Sequence, residues 1–494
     1  MAKILLINPN KWGRGITSIW IASHSSILKK NGHQVRLFDS SFYEDWNVDE
    51  TKYNTDNRQY KPTHYHKNIN YNKNSVIEDL QKEIDEFDPD IIFGSAISSH
   101  IHGEGEYVNI QYFNELVGKI KKDSLIIAGG LQPTANSQIM FEKFLSIDCF
   151  ISGESELPLL EISNALSYKC IDFSKIAGLT YKLDGKVKVN HRQEIISDMD
   201  IIGHYDYSIF DDQVFLRPYN GALIRAVDYE LSRGCIYACD YCVETTIQKY
   251  YGFEKISNRG TIYRSKSYLR NKSAKHIFQE LKILNQDFQI KLIRCQDTNF
   301  LTIDKSVLRE LADHIKKSNL DIILYIETRP EGINSKTIEL LQALKVDGVG
   351  MGVELSSQNF REEKLNRFAD QNKIIKAFDL LKKANIKRTA YNIIGLPETD
   401  EEDIKNTIRF NRIIQPDNIT VAFYSPYMGT AQEIKANSLN YFGDYEDNVD
   451  GQLRTLNKST KIPSHILNFY KRYFSYFVNN SFRELHDFKQ KYIK

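Results

Sequence analysis

Three cysteines fall within eight residues, in Cys235-Ile-Tyr-Ala-Cys239-Asp-Tyr-Cys242. Iron-sulfur clusters are held by thiolates, normally four, so three with no obvious fourth leave one iron open to an outside ligand. Structural zinc takes four Cys or His ligands in paired spacing, and neither a second CxxC nor an HxxxH lies nearby. Three buried structural cysteines are the plainest alternative, and the iron-sulfur reading stands ahead of both. Gly234 gives the backbone room to enter a crowded loop, and Tyr241 offers backbone and ring to a flat adenine. The other cysteines, Cys149, Cys170 and Cys295, are scattered and read as small buried residues.

The triplet follows a strand-like run over 222–232, which places it in a loop at a strand end. Strand and helix then alternate, with strands expected over 292–294, 322–326, 346–353, 388–394 and 419–424. Helical segments over 273–284, 306–316 and 400–413 separate them, the last opened by Thr399 and Glu402 at capping-box spacing. Six such units predict a partial (β/α)6 barrel of the TIM type across 222–432, with the cysteines at its mouth. Ahead of it, apolar runs at 3–7, 34–38, 91–94, 125–128 and 149–151 alternate with amphipathic stretches. These predict an α/β, doubly wound, Rossmann-like domain over 1–165, whose ligand sits beyond the carboxyl ends of the strands. Those ends carry Asn8-Pro9, Gly94-Ser95, Gly129-Gly130 and Gly153-Glu154-Ser155-Glu156.

Residues 166–221 read as a connector with one hairpin over 178–190, turning at Asp184-Gly185. An insertion over 43–74, rich in Tyr, Asn, Lys and His, reads as a long surface loop or lid. Residues 433–494 form a helical C-terminal extension in which Ile466, Phe469, Tyr470, Tyr473, Phe474, Phe477 and Val478 share a helical face. Docking against the rest of the protein is the expectation for that face; a substrate or partner surface is the alternative.

A chain of 494 residues exceeds one hydrophobic core and implies two or three domains. With 65 Lys+Arg against 64 Asp+Glu, the net charge of +1 gives no electrostatic footprint for nucleic acid. No signal peptide and no membrane-length apolar stretch is visible, so a cytoplasmic protein is expected, and six cysteines are too few for a disulfide framework.

The CxxxCxxC spacing with its aromatic Tyr241 resembles the signature of the radical S-adenosylmethionine (SAM) superfamily. The resemblance implies that the open iron of a 4Fe-4S cluster chelates the amino and carboxylate groups of SAM. One electron then cleaves a carbon–sulfur bond to give a 5'-deoxyadenosyl radical. The resemblance covers most of 222–430. Asp297-Thr298-Asn299-Phe300 looks like the polar segment after the second barrel strand. Gly352-Val353-Glu354 resembles the acidic position after the fourth, implied to contact SAM, with Asn366-Arg367 following. Gly395-Leu396-Pro397-Glu398-Thr399, next to Asn392, resembles the turn after the fifth, and Pro426-Tyr427-Met428-Gly429-Thr430 the one after the sixth. Asp297, Asn299, Glu354, Asn392 and Gly395 are thereby expected at the cofactors.

The domain ahead is similar to the cobalamin-binding domain of cobalamin-dependent radical enzymes. That resemblance assigns Asn8, Gly129, Gly130, Gly153 and Glu154 to cobalamin. The Asp-x-His-x-x-Gly segment that gives cobalt a histidine in other cobalamin proteins is absent, as it commonly is in the radical subfamily. Gln132 stands where many relatives have His in Gly-Gly-Pro-His. His100 and His102 lie near the expected edge and are not assigned as ligands.

Together these imply a cobalamin-dependent radical SAM methyltransferase acting on an unactivated carbon, or phosphorus, of a small molecule or lipid. It would be fed by an electron donor such as flavodoxin or ferredoxin. One rival is a ring-forming, oxidising or rearranging enzyme with the same cofactors; another is a non-catalytic cobalamin sensor or carrier. Methylthiotransferases acting on transfer RNA carry extra N-terminal cysteines, and residues 1–148 contain none. The insertion and the tail are expected to shape selectivity.

Overall fold

Short runs of branched apolar residues, too brief for helices, form the strands Lys3–Asn8 (β1), Gln34–Asp39 (β2), Ile91–Gly94 (β3), Leu125–Ala128 (β4) and Cys149–Ile151 (β5). This is a computed structural model, and it describes residues 1–47, 61, 63–97, 103–121, 123–168, 172–424, 427–439 and 460–493. Part of the 43–74 insertion (48–60 and 62), His100, His102, Cys170 and Pro426 lie outside the described residues.

β1 to β5 are parallel in the order β2-β1-β3-β4-β5, and β1, β3, β4 and β5 are buried almost throughout, as both-faced helix cover requires. The strand order reverses between β1 and β3, which opens a crevice beyond their carboxyl ends. The hairpin Leu179–Leu183 (β6) and Lys186–Val189 (β7) pairs antiparallel with β5 and extends this sheet as its edge.

The second sheet has the order β16-β15-β14-β13-β12-β9-β8. It comprises Leu216–Tyr219 (β8), Ala222–Tyr229 (β9), Leu292–Cys295 (β12), Ile323–Thr328 (β13), Val346–Glu354 (β14), Lys387–Ile394 (β15) and Asn418–Phe423 (β16). Between β9 and β12, Ser232–Arg233 (β10) and Arg270–Asn271 (β11) make a small separate ladder. The six strands expected from the sequence are all parallel; β8 is a seventh, antiparallel to β9. The sheet curls until the β8–β9 turn meets its far edge, where Asn418 Nδ2 donates to Asn220 Oδ1 at 3.3 Å. Tyr219 also donates to Asp347 Oδ2 at 2.6 Å, so this hairpin closes the end opposite the cysteines.

Helices Ala274–Asp287, Lys305–Lys316, Ser335–Ala343, Gln371–Lys383 and Glu401–Ile414 cover the convex face. The last is capped by Asp400 with Asp403, one residue on from the expected Thr399 and Glu402 pair; the Thr399 hydroxyl instead donates to the Leu396 carbonyl. On β13 the concave-facing Tyr325 and Glu327 are half-buried while the alternate residues are fully covered. Across the floor, Gly348 and Gly350 of β14 leave room for the rings of Tyr219, Tyr325 and Tyr391.

One apolar core runs from Ile4 and Trp20 through Tyr207 and Phe215 to Val227 and Ile293, so the two sheets pack as one body. The aromatic tail docks. Helix Ser464–Asn479 buries Phe469, Tyr470, Phe474 and Phe477 against Ile404, Ile408, Val421 and Phe423.

Candidate active site

The cysteine loop begins where β9 runs out. Gly234 has φ 96°, and a Cβ there would lie 2.6 Å from the Tyr268 carbonyl oxygen, so only glycine enters without displacing backbone. Asp297, just beyond β12, fixes this entry by accepting from the Leu231 and Ser232 N–H groups at 3.1 and 2.6 Å and from the Ser232 hydroxyl. Burial pushes its carboxyl up to about 7. The loop is then pinned from three sides. Glu244 accepts the Cys235 N–H at 3.0 Å, Gln248 donates to the Cys235 and Tyr237 carbonyls, and Asn366 donates to the Ala238 carbonyl at 2.7 Å.

Cys235 and Cys239 are buried and Cys242 is partly exposed, all three unbridged. Two donors point at sulfur: the Tyr237 N–H reaches Cys235 Sγ and Arg329 Nη1 reaches Cys239 Sγ, each at 3.5 Å. Burial, and then Glu244, push the Cys235 thiol up to about 12, so a strong Lewis acid is needed to hold it as thiolate. Among the described residues no three His, Cys, Asp or Glu side chains converge tightly enough for a single metal ion. A cluster distributes its thiolates over separate irons, and three thiols on one loop with donors to their sulfurs fit it.

Glu354 ends β14 at φ 62°. Its Oε1 accepts from Tyr241 Oη at 2.9 Å and lies 3.6 Å from Arg367 Nη2, which ties the fourth strand end to the cysteine loop. Asn299 acts one step back: its Oδ1 accepts from Thr328 Oγ1 at 2.7 Å and from the Arg329 N–H at 3.3 Å, orienting the residue that reaches Cys239. Gly395, at φ 79°, turns the chain so that Leu396 packs with Tyr241, Leu355 and Tyr424.

Asn392 does not join this group. It faces the helix layer, where it exchanges hydrogen bonds with Asn411 at 3.4 and 2.8 Å, and its neighbour Tyr391 faces the lumen. A strand sends alternate residues to opposite faces, so the lumen position is one residue away from the expected one. Arg329 and Glu244 were not expected. Arg329-Pro330 directly after β13 is the signal, since every other strand end had supplied a polar motif.

In the first domain, Gly129 and Gly130 lie where β3 and β4 end. A Cβ on Gly130, at φ 112°, would come within 2.8 Å of Ser95 Oγ. Ser95 itself sits at φ 66°, fully buried, and among the described residues its hydroxyl has no hydrogen-bond partner. A buried orphan hydroxyl beside a glycine pair suits a ligand with polar edges. Asn8 donates instead to Asp39 on β2, at 3.1 Å. Gly153 and Glu154 belong to the joint between the domains: the Glu154 N–H donates to Tyr251 Oη at 2.9 Å and its carboxylate accepts from Arg270 at 2.7 Å. The loops after β3 and β4 reach the cysteine loop itself, where Ile97 and Leu131 pack with Ala238, Val243 and Ile247.

An open barrel with three cysteines at its mouth, backed by a doubly wound domain, defines an iron-sulfur enzyme class. Residues 229–410 match the family model of the radical SAM superfamily. An uncharacterized methyltransferase of Pyrococcus horikoshii is 25% identical over 355 residues, 72% of this chain and 71% of the relative. The anaerobic magnesium-protoporphyrin IX monomethyl ester cyclase of Rubrivivax gelatinosus is 23% identical over 72% of this chain and 60% of its own length. Among solved structures, the radical SAM methyltransferase TsrM of Kitasatospora setae, with cobalamin and a [4Fe-4S] cluster bound, superposes with a TM-score of 0.65 at 14% identity, over 89% of this chain and 76% of that one. The cobalamin-dependent radical enzyme OxsB, with aqua-cobalamin and SAM bound, gives 0.67 at 15% identity, over 100% and 70%. These likenesses establish the fold of both domains. Among the described residues no helix is long and apolar enough to cross a membrane.

Proposed function

We propose that this protein is a cobalamin-dependent radical SAM methyltransferase. Its cobalamin domain spans 1–165, a connector 166–221, its radical domain 222–432 and its helical extension 433–494. One observation carries the reading: the glycine edge of the first sheet abuts the cysteine loop through Ile97 and Leu131, so a ligand on that edge would lie beside a cluster on the loop. When bound, the cluster and SAM supply a 5'-deoxyadenosyl radical that takes a substrate hydrogen, and cobalamin supplies a methyl group.

The chain's part is to hold and shield. Cys235, Cys239 and Cys242 ligate iron, while Arg329 and the Tyr237 N–H donate to the sulfurs and favour the thiolate form. Glu354 and Tyr241 would hold SAM's polar groups, and Asp297 and Asn299 fix the loop and Arg329 from behind. Leu355, Leu396 and Tyr424 close the mouth with apolar surface that excludes water from a reactive radical. Gly129, Gly130 and Ser95 form the cobalamin edge, and an external one-electron donor such as flavodoxin or ferredoxin completes the system.

The methyltransferase names of the Pyrococcus relative and of TsrM favour methyl transfer. The cyclase relative favours a second reading, ring formation with the same cofactors. The test is anaerobic reconstitution followed by incubation with methyl-labelled SAM and a small-molecule extract of the native cells. Label in a new compound, with cobalamin retained through gel filtration, is expected. A new compound without label selects ring formation. A protein that holds no cobalamin, or a Cys239→Ala variant that still yields 5'-deoxyadenosine, refutes the proposal.

A further inference from the structure

The concave face of the half-barrel carries an arginine that makes no hydrogen bond among the described residues. Arg294 points inward from β12, level with Asp228 on β9 and Tyr325 on β13. Its side chain is 28% exposed, and it makes no hydrogen bond among the described residues; its one ion pair is to Asp228 Oδ1 at 3.6 Å. That carboxylate is already engaged by Arg217 at 2.8 Å, Thr17 Oγ1 at 3.1 Å and Gln296 Nε2 at 2.6 Å. The rest of the guanidinium fork thus faces a lumen walled by tyrosines. The facing groups are Tyr325 and Tyr391, whose hydroxyls meet at 2.8 Å, and Glu327, which accepts from Tyr391 at 2.9 Å.

Resting on the radical SAM reading, we infer that Arg294 is the anchor for a carboxylate or phosphate of the substrate, which is therefore an anionic molecule. A guanidinium fork binds either oxyanion through two parallel hydrogen bonds. Arg294 precedes Asp297 by three residues, so it lies about 10 Å down the strand axis from the entry of the cysteine loop. A molecule gripped by its anionic end at Arg294 spans that depth and presents its far end to the loop. Below the anchor, Tyr219 bonded to Asp347 and the β8–β9 turn bonded to Asn418 close the barrel, so the bound molecule extends toward the cysteine loop.

The test is titration of the reconstituted holoenzyme with inorganic phosphate and with benzoate, followed calorimetrically in wild type, Arg294→Gln and Arg294→Lys. At least one probe should bind wild type saturably, and which one does tells phosphate from carboxylate. Affinity should fall at least tenfold in the Gln variant and less in the Lys variant, which keeps the charge but not the fork. Saturation of wild type by neither probe overturns the inference, as does equal binding by Arg294→Gln with an unchanged circular dichroism spectrum. If the Gln variant does not fold, the Lys variant decides: affinity equal to wild type for both probes refutes the fork. Formation of 5'-deoxyadenosine by the same wild-type preparation, measured in parallel, separates failure of this inference from failure of the radical SAM reading.

Discussion

Arg329 lies 3.7 Å from the centre of the Tyr237 ring and pairs with Glu331 while its Nη1 points at Cys239 Sγ. A positive donor beside a cluster sulfur favours the reduced, more negative state. Arg329→Met is therefore expected to lower the cluster's reduction potential and cut 5'-deoxyadenosine formation by about tenfold to a hundredfold, with iron still loaded. A redox titration followed by electron paramagnetic resonance checks it; an unmoved potential defeats it. At this scale the sequence made the cysteines legible, because three thiols in eight residues have few other uses. It did not separate groups that touch a cofactor from groups that hold its cradle. Asp297 and Asn299 stand at the right strand ends, yet their oxygens accept from Ser232 and from Thr328 and Arg329. A carboxylate's partner is a fact of three dimensions.

Within the elements, the glycines of β14 set how much ring the lumen can hold. A Cβ on Gly350 would lie 2.5 Å from Tyr391 Oη and 2.8 Å from Tyr325 Oη. Gly350→Ala should thus destabilise the barrel by about 1–3 kcal/mol through overpacking, seen as a lower urea midpoint. An unchanged midpoint would mean that the tyrosine pair repacks freely. Period-two and period-3.6 patterning made nearly every parallel strand and its helix readable in advance. What escaped was facing and edges. Tyr391-Asn392 reads the same whichever residue points inward, and the pairing of β15 with β14 and β16 decides. β8 was hidden because Leu-Arg-Pro-Tyr is short and contains Pro218, tolerable only on an edge strand.

Across the whole molecule, the two domains are locked by buried charge. Arg233, next to the cysteine loop, meets Glu156 at 2.6 Å, Glu230 at 2.7 Å and Glu154 at 3.6 Å, and all four side chains are nearly inaccessible. Burial pushes the Glu156 carboxyl up, but the Arg233 guanidinium overrides that and holds it well below the usual range. Such a group contributes stability that is present above its unfolded pKa and lost as pH falls through the lowered folded one. Arg233→Met leaves buried Glu156 and Glu230 without their cation, Glu154 keeping Arg270 at 2.7 Å, and should cost about 3–5 kcal/mol at neutral pH. The gap from wild type should narrow as pH falls through the carboxylate range, measured as urea unfolding between neutral and acid pH; a gap independent of pH would sink the account. The sequence by itself determined the cofactor chemistry, the two α/β sheets and their order, because thiol spacing and hydrophobic period are local properties of the chain. Only the tertiary structure decided that Gly153 and Glu154 lie at the joint between the domains, that Arg329 reaches Cys239, and that Arg294 makes no hydrogen bond among the described residues. Each of these depends on contacts between residues far apart in the chain, which no local pattern encodes.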